Sequence, residues 1–144
     1  QQLTKIVYVS LHLFRMFFWF CVFLCASVDG QMTGEPHRVP VNDTEVLSAA
    51  RFAVAEFNKV NAGEQFLYKI RMITSAKIQV VAGINYILDV QLGRTVCRKS
   101  GAAADSETCA FESKPKGYQC HFVVTEIPWE NSRVLSKNEC HLNK

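Results

Sequence analysis

The sequence lacks an excess of charge of either sign. Its 16 Lys and Arg residues against 13 Asp and Glu residues leave a formal net charge of +3. The basic residues are scattered along the chain and form no stripe with interleaved aromatic side chains, so nucleic acid is not expected as a partner. Hydrophobic residues make up 49% of the 144 positions and charged residues 20%, which is the composition of one ordinary globular domain.

Motifs of enzymes and metal sites are also missing. The sequence contains no phosphate-binding loop, no Cys-x-x-Cys pair and no histidine cluster at metal-ligand spacing. His121 follows Cys120 and is interpreted as a strand residue, not as a general base. Glu56 and Asp89 are carboxylates that no pattern pairs as an acid and a base, so a solvated surface is the simpler interpretation. We therefore expect no enzyme, no metal and no cofactor.

No fully apolar run approaches the roughly 20 residues of a bilayer-spanning helix. The run Met16 to Ala26 has eleven apolar residues, follows Arg15 and precedes small and polar residues, which are the proportions of a signal peptide. We expect residues 1–30 to be this signal peptide, and an uncleaved signal anchor is the alternative. Residues 31–144 are then the secreted, extracellular domain, without a membrane segment once the peptide is removed.

The start and the cleavage point of the signal peptide are separate expectations. The chain begins with Gln1, so Met16 is the expected working start and the residues before it are an N-terminal extension. Small residues at the end of the apolar run permit cleavage after Ser27 or Gly30, and we expect cleavage after Gly30.

Removal of residues 1–30 takes away two of the six cysteines, Cys21 and Cys25. An even set in a secreted chain predicts disulfide bonds, because extracellular thiols oxidise. Four cysteines permit three pairings, and their spacing alone does not choose among them. A zinc site is the rival interpretation, which the absence of Cys-x-x-Cys disfavours. The four remaining cysteines are Cys97, Cys109, Cys120 and Cys140.

The segment after the predicted cleavage point is interpreted as an N-terminal arm of the domain. Residues 31–41 include Gly34, Pro36 and Pro40 and show no helical periodicity, so we expect an extended, mobile segment. Asn42-Asp43-Thr44, which follows, is an N-glycosylation sequon. Because a helix start beside a flexible arm is exposed, Asn42 is a candidate glycosylation site.

One amphipathic helix is predicted after the arm. Apolar residues recur there at spacings of four and three, and the other faces are polar or charged. Asn42 is the predicted cap, with Glu45 as its reciprocal partner three residues on. At the other end, Asn61 or Gly63 is expected to end the helix in the left-handed conformation. The apolar stripe consists of Val46, Ala50, Ala53, Phe57 and Val60.

An apolar hairpin tip lies at the centre of the remaining sequence. Gln79-Val80-Val81-Ala82-Gly83 separates an alternating stretch that ends at Ile78 from Ile84 to Leu92, where every second residue is apolar. Later strands are predicted over Tyr118 to Ile127 and Val134 to Cys140. A single helix must bury its stripe on the sheet, which predicts an α+β fold with an antiparallel sheet across one helix. An apolar tip is either tucked under the domain or offered to a partner.

The tip resembles the Q-x-V-x-G signature of the cystatins, which are secreted inhibitors of papain-like cysteine proteases. The resemblance runs from Gly34 to Cys140, includes Pro128-Trp129 and four cysteines in the family's order, and is to the type 2 cystatins. Other matching segments are Phe52-Ala53-Val54-Ala55-Glu56-Phe57-Asn58-Lys59 and Asn85-Tyr86-Ile87-Leu88-Asp89-Val90-Gln91-Leu92-Gly93-Arg94-Thr95. The resemblance to type 2 cystatins implies the cystatin fold, in which a twisted five-stranded antiparallel sheet wraps one long helix.

The resemblance also implies a function and a site. It implies a reversible, tight-binding inhibitor that occludes the active-site cleft of cathepsin-type proteases with a three-part wedge. A monomer is a separate expectation, which the resemblance does not imply. The resemblance implies the disulfide pairs Cys97 to Cys109 and Cys120 to Cys140. The residues implied to bind the protease are Gly34 in the arm, Gln79, Val80, Val81, Ala82 and Gly83 in the first hairpin, and Pro128 and Trp129 in the second.

Two further expectations follow from the family. Some cystatins also inhibit legumain, an asparagine-specific protease, through an Asn in the loop after the helix, and Asn61 is the nearest candidate here. The alternative function is a secreted cystatin-fold binding or antimicrobial module without protease inhibition. Such modules usually lose the first-hairpin signature, which this sequence retains.

Overall fold

The computed structural model describes residues 2–28, 34–100 and 105–143, and for residues 22–28 it describes the backbone alone. The chain falls into two compact units, Gln1–Gly34 and Glu35–Lys144. The predicted cleavage point after Gly30 and the beginning of the predicted arm lie outside the described residues.

The first unit contains one helix, α1, over Gln2–Val28. Its described side chains, at positions 2–21, are all exposed. The stretch Gln2–Cys21 is long and apolar enough to cross a membrane by length and composition, and none of it is buried. The helix therefore extends well before the apolar run that begins at Met16.

The second unit consists of one helix and five strands. In chain order the elements are β1 (His37–Arg38), α2 (Thr44–Val60), β2 (Phe66–Val81), β3 (Gly83–Arg98), β4 (Gly117–Ile127) and β5 (Ser132–Asn143). Short 3₁₀ turns lie at Ser106–Thr108 and Pro128–Glu130. All neighbouring strands are antiparallel, in the order β1-β2-β3-β4-β5. The predicted α+β architecture is confirmed.

The cap of helix α2 is Asp43, one residue after the predicted Asn42, so the prediction of Asn42 is wrong. Asp43 has extended backbone angles, and its Oδ1 accepts the backbone N–H of Glu45 at 2.8 Å. An aspartate suits this position because its charge also faces the positive end of the helix dipole.

The end of α2 also differs from the prediction of a left-handed residue. Asn61 has φ −86° and ψ 74°, and Gly63 is not among the residues with positive φ. The Asn61 carbonyl oxygen accepts both the Lys99 ammonium and the backbone N–H of Glu64. A cation just beyond β3 and a turn therefore satisfy this helix terminus without a left-handed residue. Val60, predicted on the buried stripe, is 64% exposed because it lies at the last helical position.

The remaining apolar stripe of α2 forms the core with one face of the sheet. Alanines at 49, 50 and 53 are fully buried, which allows a close approach of the helix to the sheet. The β3 alternation is confirmed, since every second residue from Tyr86 to Leu92 is buried. The core contains Val46, Ala49, Ala50, Ala53, Val54, Phe57, Tyr68, Ile73, Ala76, Tyr86, Leu88, Val90, Leu92, Cys120, Phe122 and Val124.

A buried amide links α2 to β2. The Asn58 side chain donates to the Tyr68 carbonyl oxygen and accepts the Tyr68 N–H, both at 3.0 Å. These bonds satisfy the backbone of Tyr68 where the β2–β3 register shifts. The Tyr68 ring packs edge-on against Phe57 and Tyr118.

Two disulfides join Cys97 to Cys109 and Cys120 to Cys140, which is the pairing that the family resemblance implies. The first links β3 to the segment before β4, and the second joins the paired strands β4 and β5. The predicted arm is not wholly separate from the sheet. His37 and Arg38 pair with Ile78 and Lys77, because the backbone of β2 has no other strand on that side in the described chain.

The Tyr68 hydroxyl is buried and has no hydrogen-bond partner among the described residues. Burial raises the pKa of Tyr68 above its ordinary range, and Glu64 raises it further through its charge and as a nearby acceptor beyond normal hydrogen-bond geometry. The Glu64 carboxylate instead accepts the hydroxyl of Tyr118 at 3.0 Å. Since a buried hydroxyl without a partner is costly, Tyr68→Phe should raise the free energy of unfolding by about 1 kcal/mol.

The matched control is Tyr118→Phe, which loses its bond to Glu64 and should lower the free energy of unfolding by about 1 kcal/mol. Urea denaturation at neutral pH measures both changes. If the two Phe variants were destabilised alike, the Tyr68 hydroxyl would have a partner and this account would be wrong.

Candidate functional site

Two hairpin tips lie side by side at one end of the sheet. In the β3–β4 register Ile84 opposes Glu126, so the β2–β3 tip and the β4–β5 turn leave neighbouring strands at the same level. These are the two hairpins that contain the predicted segments 79–83 and 128–129. We call this end of the sheet, with its two turns, the hairpin edge.

The first tip is tight and partly apolar. Val81 pairs with Gly83, so Ala82 alone forms the bend. Val80 is 57% exposed and Ala82 is exposed, while Gln79 and Val81 are half-buried. The tip is therefore offered to solvent and is not tucked under the domain, which answers the question that its apolar sequence left open.

Gly83 sets the distance between the two hairpins. Its φ is 128°, which L side chains rarely adopt. A Cβ at this position would lie 2.7 Å from the backbone oxygen of Glu126 on β4. Only glycine permits this approach.

The second tip holds an exposed tryptophan on a defined turn. Pro128 opens a 3₁₀ turn, and the backbone N–H of Asn131 donates to the Pro128 carbonyl oxygen at 3.2 Å. Trp129 is 71% exposed, so it is not a core aromatic. Asn131 takes the left-handed conformation, with φ 49° and ψ 41°, a role that sequence reasoning missed although Asn after a Pro-containing turn is a recognised signal.

The arm reaches the sheet beside the first hairpin. His37 opposes Ile78, one residue before the Gln79 segment. Gly34 is exposed and belongs to the first unit, so its part in the hairpin edge remains a prediction.

The other residues considered for chemistry lie elsewhere. Asp89 has a partner that the sequence did not indicate: its Oδ1 is 2.7 Å from His121 Nδ1, across β3 and β4. Both side chains are more than a third exposed on the face of the sheet opposite α2. No group of three or more potential metal ligands occurs among the described residues.

Asn61 lies at the opposite end of the sheet from the hairpin edge. It is half-buried and follows α2, next to Lys99 beyond the end of β3. Asn42 is exposed in the turn before α2.

Comparison with known proteins places these features in a family. The model of the cystatin domain matches residues 34–129, from Gly34 through the first tip to Trp129. The chain is a member of the cystatin family.

The similarity to individual cystatins covers most of the chain. Cystatin of Coturnix japonica is 41% identical over 113 residues, which are 76% of this chain and 95% of that protein. Cystatin-C of Bos taurus is 40% identical over 114 residues, 77% of this chain and 75% of that protein. The crystal structure of dimeric human cystatin F has a TM-score of 0.71 at 32% identity and covers 77% of this chain and 89% of its own.

Cystatins are protease inhibitors and not enzymes. Family and fold together indicate that this protein inhibits cysteine proteases. The type 2 cystatin resemblance of the sequence is confirmed.

Gly83→Ala should lower the free energy of unfolding by about 2 kcal/mol or more, because the new Cβ meets the Glu126 backbone at a strained φ. Gly63→Ala is the matched control, since nothing lies within 4 Å of its added Cβ, and it should change stability by less than about 1 kcal/mol. Urea denaturation of the two variants measures the difference. Equal effects would mean that Gly83 does not set the hairpin spacing.

Proposed function

We propose that this cystatin is a reversible, tight-binding inhibitor of papain-like cysteine endopeptidases of the cathepsin type, and that the hairpin edge enters their active-site cleft. The observation that carries the proposal is the pair of neighbouring exposed tips, one of small apolar residues and one bearing Trp129. A surface of this kind is costly to leave in water unless a partner covers it. The protein acts as a monomer in this proposal.

Each part of the hairpin edge has a chemical reason. Small residues around Ala82 let the main chain of the first tip approach the wall of a cleft closely. Trp129 supplies a large, rigid contact area with little entropy to lose on binding. Because both turns belong to paired strands, they are already ordered before docking, which favours affinity. The tips fill the cleft beside the catalytic thiol without placing a scissile bond there, so inhibition is occlusion.

The proposal also covers the arm and the signal peptide. Gly34 lets the arm bend into the cleft beside the first tip. Residues 1–30 are a signal peptide, which the exposed apolar helix α1 supports, and residues 31–144 are the secreted domain. N-terminal sequencing of the secreted product locates the cleavage point.

Two finer proposals concern asparagines away from the tips. Asn42 carries an N-linked glycan, since it is exposed and Asp43, not Asn42, caps α2. Asn61 binds legumain. Its place at the other end of the sheet would keep that contact separate from papain-like targets.

Trp129→Ala should weaken the inhibition of papain by about 2 kcal/mol in binding free energy or more, because a large contact area is lost from a desolvated cleft. Its thermal stability should stay nearly unchanged, because the side chain is 71% exposed. Titration of papain with the secreted product of the full chain measures the first effect, and thermal melts measure the second.

Val96→Ala is the matched control, because Val96 is an exposed apolar residue, 56% accessible, near the far end of β3. It should leave papain inhibition unchanged. A protein that does not inhibit papain at all would favour the alternative, a cystatin-fold binding module, whereas inhibition that survives Trp129→Ala would remove only the second hairpin from the site.

Removal of the arm through Gly34 should weaken papain inhibition by about tenfold or more and change the unfolding temperature little. The reason is that the strand pairing of this segment with the sheet begins at His37, after the removed residues. A variant that starts at Glu35, compared with one that starts at Gln31, tests this. A lower unfolding temperature with intact inhibition would make the arm structural.

A further inference from the structure

Arg133 ties the second hairpin to helix α2. It is the second residue of β5, directly opposite Glu126 of β4. One guanidinium nitrogen donates to Ser48 Oγ at 3.0 Å, and another lies 3.4 Å from Glu126 Oε2. The guanidinium also lies over the ring of Phe52, 5.8 Å from its centroid. One side chain therefore contacts both strands of the hairpin and two successive turns of the helix.

The second tip has few other means of support. Strand β5 is an edge of the sheet, with β4 on one side only. Beyond Ile127 and Ser132, the last paired residues, Trp129 and its neighbours are exposed. The direction of the turn thus depends on how the ends of β4 and β5 are held against the helix, and Arg133 bonds to both the helix and β4 at this level.

Arg133 also offsets negative charge at this end of the domain. Burial raises the pKa of Tyr86, and the charges of Glu126, Glu45 and Asp43 raise it further while Arg133 lowers it. Three carboxylates, one on the hairpin and two at the start of the helix, therefore act at one buried ring. The guanidinium, 25% exposed, is the cation among them.

We propose that Arg133 is a positioning residue for Trp129: by bridging Glu126, Ser48 and Phe52 it holds the second tip in the orientation that binds the protease. This inference rests on the proposed function of the hairpin edge. Arg133 itself need not touch the protease, since it is half-buried against α2.

A double-mutant cycle separates positioning from general stability. The full chain is expressed in a secretory host in a Trp19→Phe background, so that Trp129 is the single tryptophan of the two in the sequence. The inhibition constant for papain is measured for Arg133→Met, Trp129→Ala and the double variant. Arg133→Met should weaken inhibition by about tenfold when Trp129 is present and by less than about twofold when it is absent, because the two residues act through one contact.

A second readout follows the tip without the protease. Acrylamide quenching and fluorescence anisotropy of Trp129 should show a more mobile side chain in Arg133→Met than in the parent. Arg133→Lys keeps the positive charge but loses the planar guanidinium, which reaches two acceptors and lies over a ring. This variant should therefore inhibit papain better than Arg133→Met but less well than the parent. The matched control is Lys137→Met. It removes another cation of β5, whose ammonium lies 3.6 Å from Glu139 and which is paired with Val123, away from the turn. It should change neither readout.

The outcomes distinguish this inference from the proposed function. If Trp129→Ala weakens inhibition but Arg133→Met weakens it equally in both backgrounds, Arg133 acts through stability or direct contact and the inference alone is wrong. If Trp129→Ala has no effect, the second tip does not bind the protease, and both proposals are wrong for this hairpin. Unchanged anisotropy in Arg133→Met also overturns the inference.

Discussion

Burial of the apolar face of α2 on the sheet is the interaction on which the rest of the structure depends. Ala49, Ala50 and Ala53 are fully buried, so helix and strands meet at short range, and a large residue there would separate them. The same helix supplies Ser48 and Phe52 to the hairpin edge and Asn58 to β2. Both ends of the sheet are therefore placed by one packed helix.

The two ends of the sheet differ in the groups that they contain. The hairpin edge exposes apolar groups on turns whose backbones are already paired, which is suited to entering a preformed cleft. The far end holds Cys97–Cys109, the Lys99 contact to Asn61 and the Glu64–Tyr118 bond. Cross-links and polar contacts there stabilise the domain without occupying the surface that we propose for binding.

Sequence reasoning located the elements but not the details of their ends. Alternation in β3 and the stripe of α2 were readable because burial on one face imposes a strict period. Whether Asn42 or Asp43 would cap the helix could not be read, since both are good caps. The Arg133 bridge joins residues 85 positions apart, and only the register of β4 and β5 against the helix brings them together. The exposure of Trp129 likewise depends on a left-handed Asn131, which local composition permits but does not require.

The shortness of β1 has a consequence for how two copies of the chain meet. β1 pairs with Lys77 and Ile78, Val39 bonds to the Ala76 carbonyl oxygen, and the Asn58 amide covers Tyr68. Much of the rest of β2 (Phe66–Val81) has no strand on that side in the described chain. Lys69 and Arg71 lie along the open part of this strand, so two such edges pairing with each other would bring cations together. Like charges protect exposed edges from self-association. This protection is electrostatic, so the repulsion between two such edges weakens as salt concentration rises.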